Sequence, residues 1–281
     1  MEVKILQKHD KRLRFFASGI DIPEANAIRR IMISDVPAMA ITEVVIIENS
    51  SVMYDEVLAH RIGLIPLKTD LDSFVLPDVC SCGSELGCNK CSVSFTLNAE
   101  ASTSVRTVYS GELKSINPDV VPASDKIPLL KLAPGQRIKL EAYAKLGLGK
   151  NHVKWQPVSV SSYKYVPEIK INRRKCDNCG LCVEICPKGV LKIVKKKLEI
   201  VSEENCTLCK DCEVVCPQSP SAIKIKNLKN AFIFNIESTG ALPCERIVTE
   251  AVKILKKKSK EFAGEVSKIK SKKKRKTKKA K

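Results

Sequence analysis

Eight of this chain's thirteen cysteines fall into two copies of one spacing: Cys176, Cys179, Cys182, Cys186 with Pro187, then Cys206, Cys209, Cys212, Cys216 with Pro217. No other feature limits the fold as strongly. Gaps of two residues let one tight loop aim three thiolates at a single face of a cuboidal cluster, and the proline ends the loop and turns the chain away. The duplicated run predicts two [4Fe–4S] clusters on these eight cysteines. Disulfides are the competing use of so many cysteines, but they belong to secreted chains, and the N-terminal segment Met1–Arg12 has no apolar signal core. No stretch approaches the roughly 18 apolar residues of a membrane span. The expected setting is the cytoplasm, without a membrane partner.

The run resembles that of bacterial ferredoxins, in which three cysteines hold one cluster and the fourth crosses to the other. The resemblance implies one set of Cys176, Cys179, Cys182 and Cys216, and a second of Cys206, Cys209, Cys212 and Cys186. The segments C-terminal to the two motifs support a repeat: Gly189–Ile193 after the first and Ser221–Ile225 after the second both read as a turn feeding a strand. The unit from about residue 170 to 227 is then two equivalent halves. So small a module has little core, and metal is expected to supply much of its stability.

Clusters alone do not define function, because the same module carries electrons in some proteins and braces the fold in others. The formal net charge is +18, yet Lys268–Lys281 alone holds ten Lys or Arg and no acid. Such a tail reads as a solvated, disordered extension from about residue 266, with weak non-specific attraction to nucleic acid.

The N-terminal region predicts two strands, Val3–Gln7 and Leu13–Ser18, then a helix capped at Asp21 with Pro23 and Glu24 in its first turn. Ala25, Ile28, Ile31 and Met32 recur at helical spacing, Pro37 ends the helix, and Val44–Glu48 reads as a strand. Near the C-terminus Phe232–Glu237 alternates as a strand. Pro243 opens a second helix carrying Ile247, Val248, Ala251, Ile254 and Leu255.

Glu24–Pro37, with Asn26, Arg29, Arg30 and Asp35, and Asp55–Leu67, with His60, Arg61, Gly63 and Pro66, resemble two signature stretches of the D subunit family of archaeal RNA polymerase. That family is similar to the third-largest subunit of eukaryotic RNA polymerase II and to the N-terminal domain of bacterial alpha. The resemblance covers nearly the whole chain apart from the cluster module and the tail. It implies an α+β protein: a discontinuous alpha-like dimerisation domain (1–37 plus 228–265), a mainly β insert domain (38–168), and an inserted ferredoxin-like 2[4Fe–4S] domain (169–227). It also implies a heterodimer with the L subunit through Ile28, Ile31 and Met32 on one helix and Ile247, Ala251 and Leu255 on the other. Further implied partners are the small subunits N and P and the large catalytic subunits. The alternative for both apolar faces is packing within the chain itself.

A third group, Cys80, Cys82, Cys88 and Cys91, lies within twelve residues of one loop. Two cysteine pairs can close a tetrahedral Zn²⁺ site, and the loop resembles the zinc loop of the eukaryotic subunit. Free thiols are the alternative. Cys244 stands alone and reads as a buried, inert thiol.

Nothing in the chain points to catalysis. Gly147–Lys150 lacks the first half of a phosphate-binding loop and the following Ser or Thr. Asp70 and Asp72 form an isolated pair, and His9, His60 and His152 have no nucleophile signature. Two functions are compatible with the chain. One is a scaffold subunit of a polymerase without catalytic residues of its own. The other is a ferredoxin-type electron carrier or oxidoreductase subunit, which leaves everything outside 170–227 unexplained.

Overall fold

A computed structural model describes residues 1–84 and 86–278. The first elements are β1 (Glu2–His9), β2 (Arg12–Ser18), α1 (Ile22–Ser34), β3 (Pro37–Asn49) and α2 (Asp55–Gly63). Then come β4 (Ser92–Glu100), β5 (Arg106–Tyr109), β6 (Lys114–Ser115), β7 (Pro128–Leu132), β8 (Arg137–Leu148) and β9 (Val158–Ile171). The chain ends with α3 (Leu181–Glu184), β10 (Leu191–Val194), β11 (Lys197–Ile200), α4 (Asp211–Val214), β12 (Ile223–Ser238) and α5 (Cys244–Lys278). The mixed α/β composition agrees with the expected class.

Two compact units divide the chain. The first comprises 1–7, 14–25 and 162–235; the second comprises 8–13, 26–161 and 236–281. These divisions fall elsewhere than the boundaries 37/38, 168/169 and 227/228 expected from the sequence. The reason is strand continuity: β3 begins at Pro37, β9 runs through residue 168, and β12 runs through residue 227 without a linker.

In the first unit the sheet order is β1-β2-β12-β9. Phe15 stacks on Phe234 with ring centroids 4.9 Å apart, and Tyr163 meets Phe232 edge-on at 5.3 Å. β10 and β11 form an antiparallel hairpin with Val194 opposite Lys197. Its two-residue turn demands positive φ twice, and Lys195 and Lys196 adopt +49° and +60°. The small core around Ile169, Val190, Leu191, Leu198, Ile223 and Ile225 includes the buried Cys182, Cys206 and Cys212.

The second unit is built on the order β3-β8-β4-β6. β8 pairs antiparallel with β3 from Pro37–Leu148 to Asn49–Ile138, and with β4 from Ser92–Lys145 to Glu100–Arg137. Strict alternation sends Val93, Phe95, Leu97 and Ala99 inward from β4, and Ile138, Leu140, Ala142 and Ala144 from β8. α2 adds Leu58 and Ile62 to the same core. Phe95 is fully buried there. Phe95→Ala should cost about 3–5 kcal/mol in urea unfolding of this unit; a loss below about 1 kcal/mol would contradict the packing described.

The expected cap at the start of α1 is present in part: the Glu24 carboxylate accepts the Asp21 N–H at 2.9 Å. Gly147 and Gly149 are packing glycines, which agrees with rejecting a phosphate loop. A Cβ at Gly147 would run into the Trp155 ring, and one at Gly149 into the Ile33 carbonyl.

The disordered tail expected from residue 266 needs correction. α5 is helical through Lys278: lysine is a good helix former, and the Lys268–Glu265 pair at 2.6 Å supports the turn it spans. Residues 279–281 and the side chains after Ile269 lie outside the described residues, as does any nucleic-acid contact they make.

Candidate metal centres and partner face

The duplicated cysteine run folds as two equivalent halves. Asn178 and Leu208 occupy the same position in the two motifs, and both have positive φ, +59° and +60°. Gly180 and Lys210 are likewise equivalent, at +89° and +67°. Gly180 and Lys210 each lead at once into a short helix, α3 or α4, that carries the third cysteine of its motif. Here the loop geometry repeats where the side chains do not.

These two loops bring the eight cysteines into two sets. Cys176, Cys179, Cys182 and Cys216 line one cavity with Leu198 and Ile223. Cys186, Cys206, Cys209 and Cys212 line another with Val190 and Ile225. The fourth cysteine of each motif thus sits with the first three of the other. Backbone N–H groups point at the sulfurs: that of Leu208 at Cys206 Sγ (3.4 Å) and that of Ala222 at Cys216 Sγ (3.4 Å). Donors so placed favour thiolates over thiols. With no metal bound, burial pushes the Cys182 and Cys212 thiols up to about 11.

The third group is tighter. All four sulfurs of Cys80, Cys82, Cys88 and Cys91 lie within 4.8 Å of one another, with Cys80–Cys88 and Cys82–Cys91 at 3.7 Å and Cys88–Cys91 at 3.8 Å. Four thiolates at a Zn–S length of about 2.3 Å stand about 3.8 Å apart in a tetrahedron. The residues therefore fit a single four-coordinate ion. The Lys90 N–H leads the effects that bring the Cys88 thiol down to about 7, whereas burial pushes Cys91 up to about 12.

A pH dependence arises from the raised thiols. An unfolded cysteine titrates near about 8.5. The metal-free fold keeps its buried thiols protonated up to about 11 at Cys182 and Cys212, and about 12 at Cys91. Their contribution to stability is complete below about pH 8.5 and is lost as pH rises through 11 to 12, because the unfolded chain releases protons first. Metal binding requires thiolates, so metal affinity rises over the same range. The urea midpoint of metal-free protein should fall between about pH 8.5 and 10.5; a midpoint that rises would contradict this.

Of the six residues expected at a partner face, four need correction. Met32, Ile247 and Ala251 have no exposed surface and Ile31 only 6%, so their stripes belong to this chain's own interior. Ile28 and Leu255 are half-buried. α5 instead exposes a different apolar series, missed in the sequence: Val252 (46%), Phe262 (74%) and Ile269 (59%). With Val248, Leu255 and Val266 these residues follow alternating steps of four and three along the helix, the spacing of a coiled-coil seam, with Ser259 at the one polar position. Arg246 anchors the helix base with two bonds to Asp72, at 2.7 and 3.1 Å, and Lys258 binds Asp35 at 2.8 Å. Asp70 accepts the Asp72 N–H, which makes this pair a turn and an anchor.

Cys244 is buried, as expected. His60 and His152 share one cavity with Lys154, and among the described residues no acid lines it. No described helix is long and apolar enough to cross a membrane.

The sequence places this arrangement of sheets and helices in a known family. Residues 14–259 match the RNA polymerase Rpb3/Rpb11 dimerisation domain family, and the chain belongs to that family. It is 42% identical to the DNA-directed RNA polymerase subunit Rpo3 of Archaeoglobus fulgidus over 261 residues, which is 93% of this chain and 96% of the relative. The subunit Rpo3 of Methanosphaera stadtmanae is 41% identical, with 92% and 96% covered. The rpac1 subunit of RNA polymerases I and III from Dictyostelium discoideum is 37% identical over 90% of this chain and 78% of its own length.

Proposed function

We propose that this chain is a non-catalytic assembly subunit of an archaeal DNA-directed RNA polymerase, working in the cytoplasm. It pairs with an L-type subunit and presents that pair to the small subunits N and P and to the large catalytic subunits. The observation that carries this reading is similarity to Rpo3 subunits along nearly the full length of both chains. The parts the sequence assigns to a dimerisation domain, 1–37 and 228–265, contain α1 and the first part of α5, and the open seam on α5 gives the partner an apolar strip to cover. Burying one such side chain contributes about 1.5–3 kcal/mol.

Two [4Fe–4S] clusters and one structural zinc complete the proposal. Cys176, Cys179, Cys182 and Cys216 would hold one cluster, and Cys186, Cys206, Cys209 and Cys212 the other. The crossed grouping around two cavities supports this. Cys80, Cys82, Cys88 and Cys91 would hold zinc, supported by sulfurs at tetrahedral spacing. Bound clusters would supply cross-links that the small core lacks. Anaerobically purified protein should contain about eight iron and one zinc per chain. Iron near zero would defeat the cluster assignment, and zinc near zero the loop assignment.

A further inference from the structure

We infer that a cavity of about 580 Å³ in the first unit, walled by Arg14, Lys164, Lys188, Tyr163, Asn205 and Thr207, binds a small phosphorylated molecule by its phosphoryl group. Among the described residues, three cations and no Asp or Glu line it. Arg14 and Lys164 donate to the same Glu204 carbonyl, at 2.8 and 2.7 Å, which holds two positive groups within two hydrogen-bond lengths of each other. Lys164 also donates to the Cys206 carbonyl at 2.8 Å, which leaves one of its three N–H groups for a ligand. The Arg14 guanidinium has further donors beyond its bonds to Asn205 and Glu204. Of the acids of the adjoining turn, Glu203 accepts the Ile169 N–H, and Glu204, which accepts from the Ser202 hydroxyl, lies close enough to Lys164 to act on its charge without lining the cavity. Like charges held this close repel, and an anion between them removes the repulsion.

Charge and shape select the ligand. A phosphate monoester brings about −2 and three acceptor oxygens, a closer match to three cations than the single charge of one carboxylate. The volume falls within the about 300–1,000 Å³ of small-molecule sites. Tyr163, fixed by its ring contacts with Phe232 and Phe234, offers an aromatic wall to the rest of the molecule. Asn205 and Thr207 flank Cys206, so an occupant would sit against one cysteine loop.

Calorimetry on the full-length, metal-loaded protein, with sodium pyrophosphate and AMP as probes, tests the site. Lys188 is exposed, and Lys188→Glu should weaken pyrophosphate by at least about tenfold. Thr207→Val should also weaken it, with no loss of melting temperature. The basic C-terminal segment attracts anions too, but neither substitution alters it. Unchanged affinity in both variants, or no binding by the unaltered protein at millimolar pyrophosphate, would overturn the site. Tighter binding of a hexaglutamate peptide or a short RNA through the same residues would overturn the assignment to a small phosphorylated molecule.

Discussion

Replacing Cys179 and Cys209 by Ser together is expected to leave pairing with the L-type subunit intact while reducing incorporation into complete polymerase by about tenfold or more. Each substitution removes one thiolate from its cysteine set, and a module with so small a core would draw much of its stability from the clusters proposed there. The seam proposed for pairing lies on α5, in the second unit, whose core contains none of these cysteines. The two steps should therefore separate: size-exclusion chromatography of the co-expressed pair should show a dimer, and reconstitution with the remaining subunits should stall. Oxygen, by destroying exposed clusters, should act in the same direction. Normal assembly and transcription by the double variant would remove the role assigned to the clusters.

Val252→Glu with Phe262→Glu is expected to abolish co-purification with the partner. Each change forfeits about 1.5–3 kcal/mol of apolar burial. Each also sets a carboxylate into a seam that pairing would desolvate. Together they should weaken pairing by about a hundredfold or more. The isolated chain should be little affected, within about 0.5 kcal/mol, because both side chains are exposed in it. Ile31→Glu is a poorer probe, since Ile31 is buried and its replacement would damage the fold before it reported on pairing.

The contrast between Ile31 and Phe262 shows what could be read from sequence. Cysteine spacing is a local signal, and loops of two-residue gaps leave few ways to arrange thiolates, so the grouping of the cysteines was legible down to individual residues. Apolar stripes on α1 and α5 were legible as stripes, but a helical period does not say whether the chain itself or a partner covers it. The α5 seam was obscured by the lysines between its apolar positions, from Lys256 to Lys260. The domain boundaries came from the family resemblance and not from a local signal, and the compact units divide the chain elsewhere: Lys224–Asn230, which spans the boundary at 227/228, is part of one sixteen-residue strand. Arg14 and Lys164 meet only because β2, β12 and β9 lie side by side, a pairing that no local pattern encodes.

The most direct test of the assembly role is affinity purification of the tagged chain from anaerobically grown cells, followed by peptide identification and quantification. The account predicts an Rpb11-type partner and the large catalytic subunits in amounts equal to the bait. Recovery with a redox enzyme, and without polymerase subunits, would contradict it and leave the cysteine module as an electron carrier.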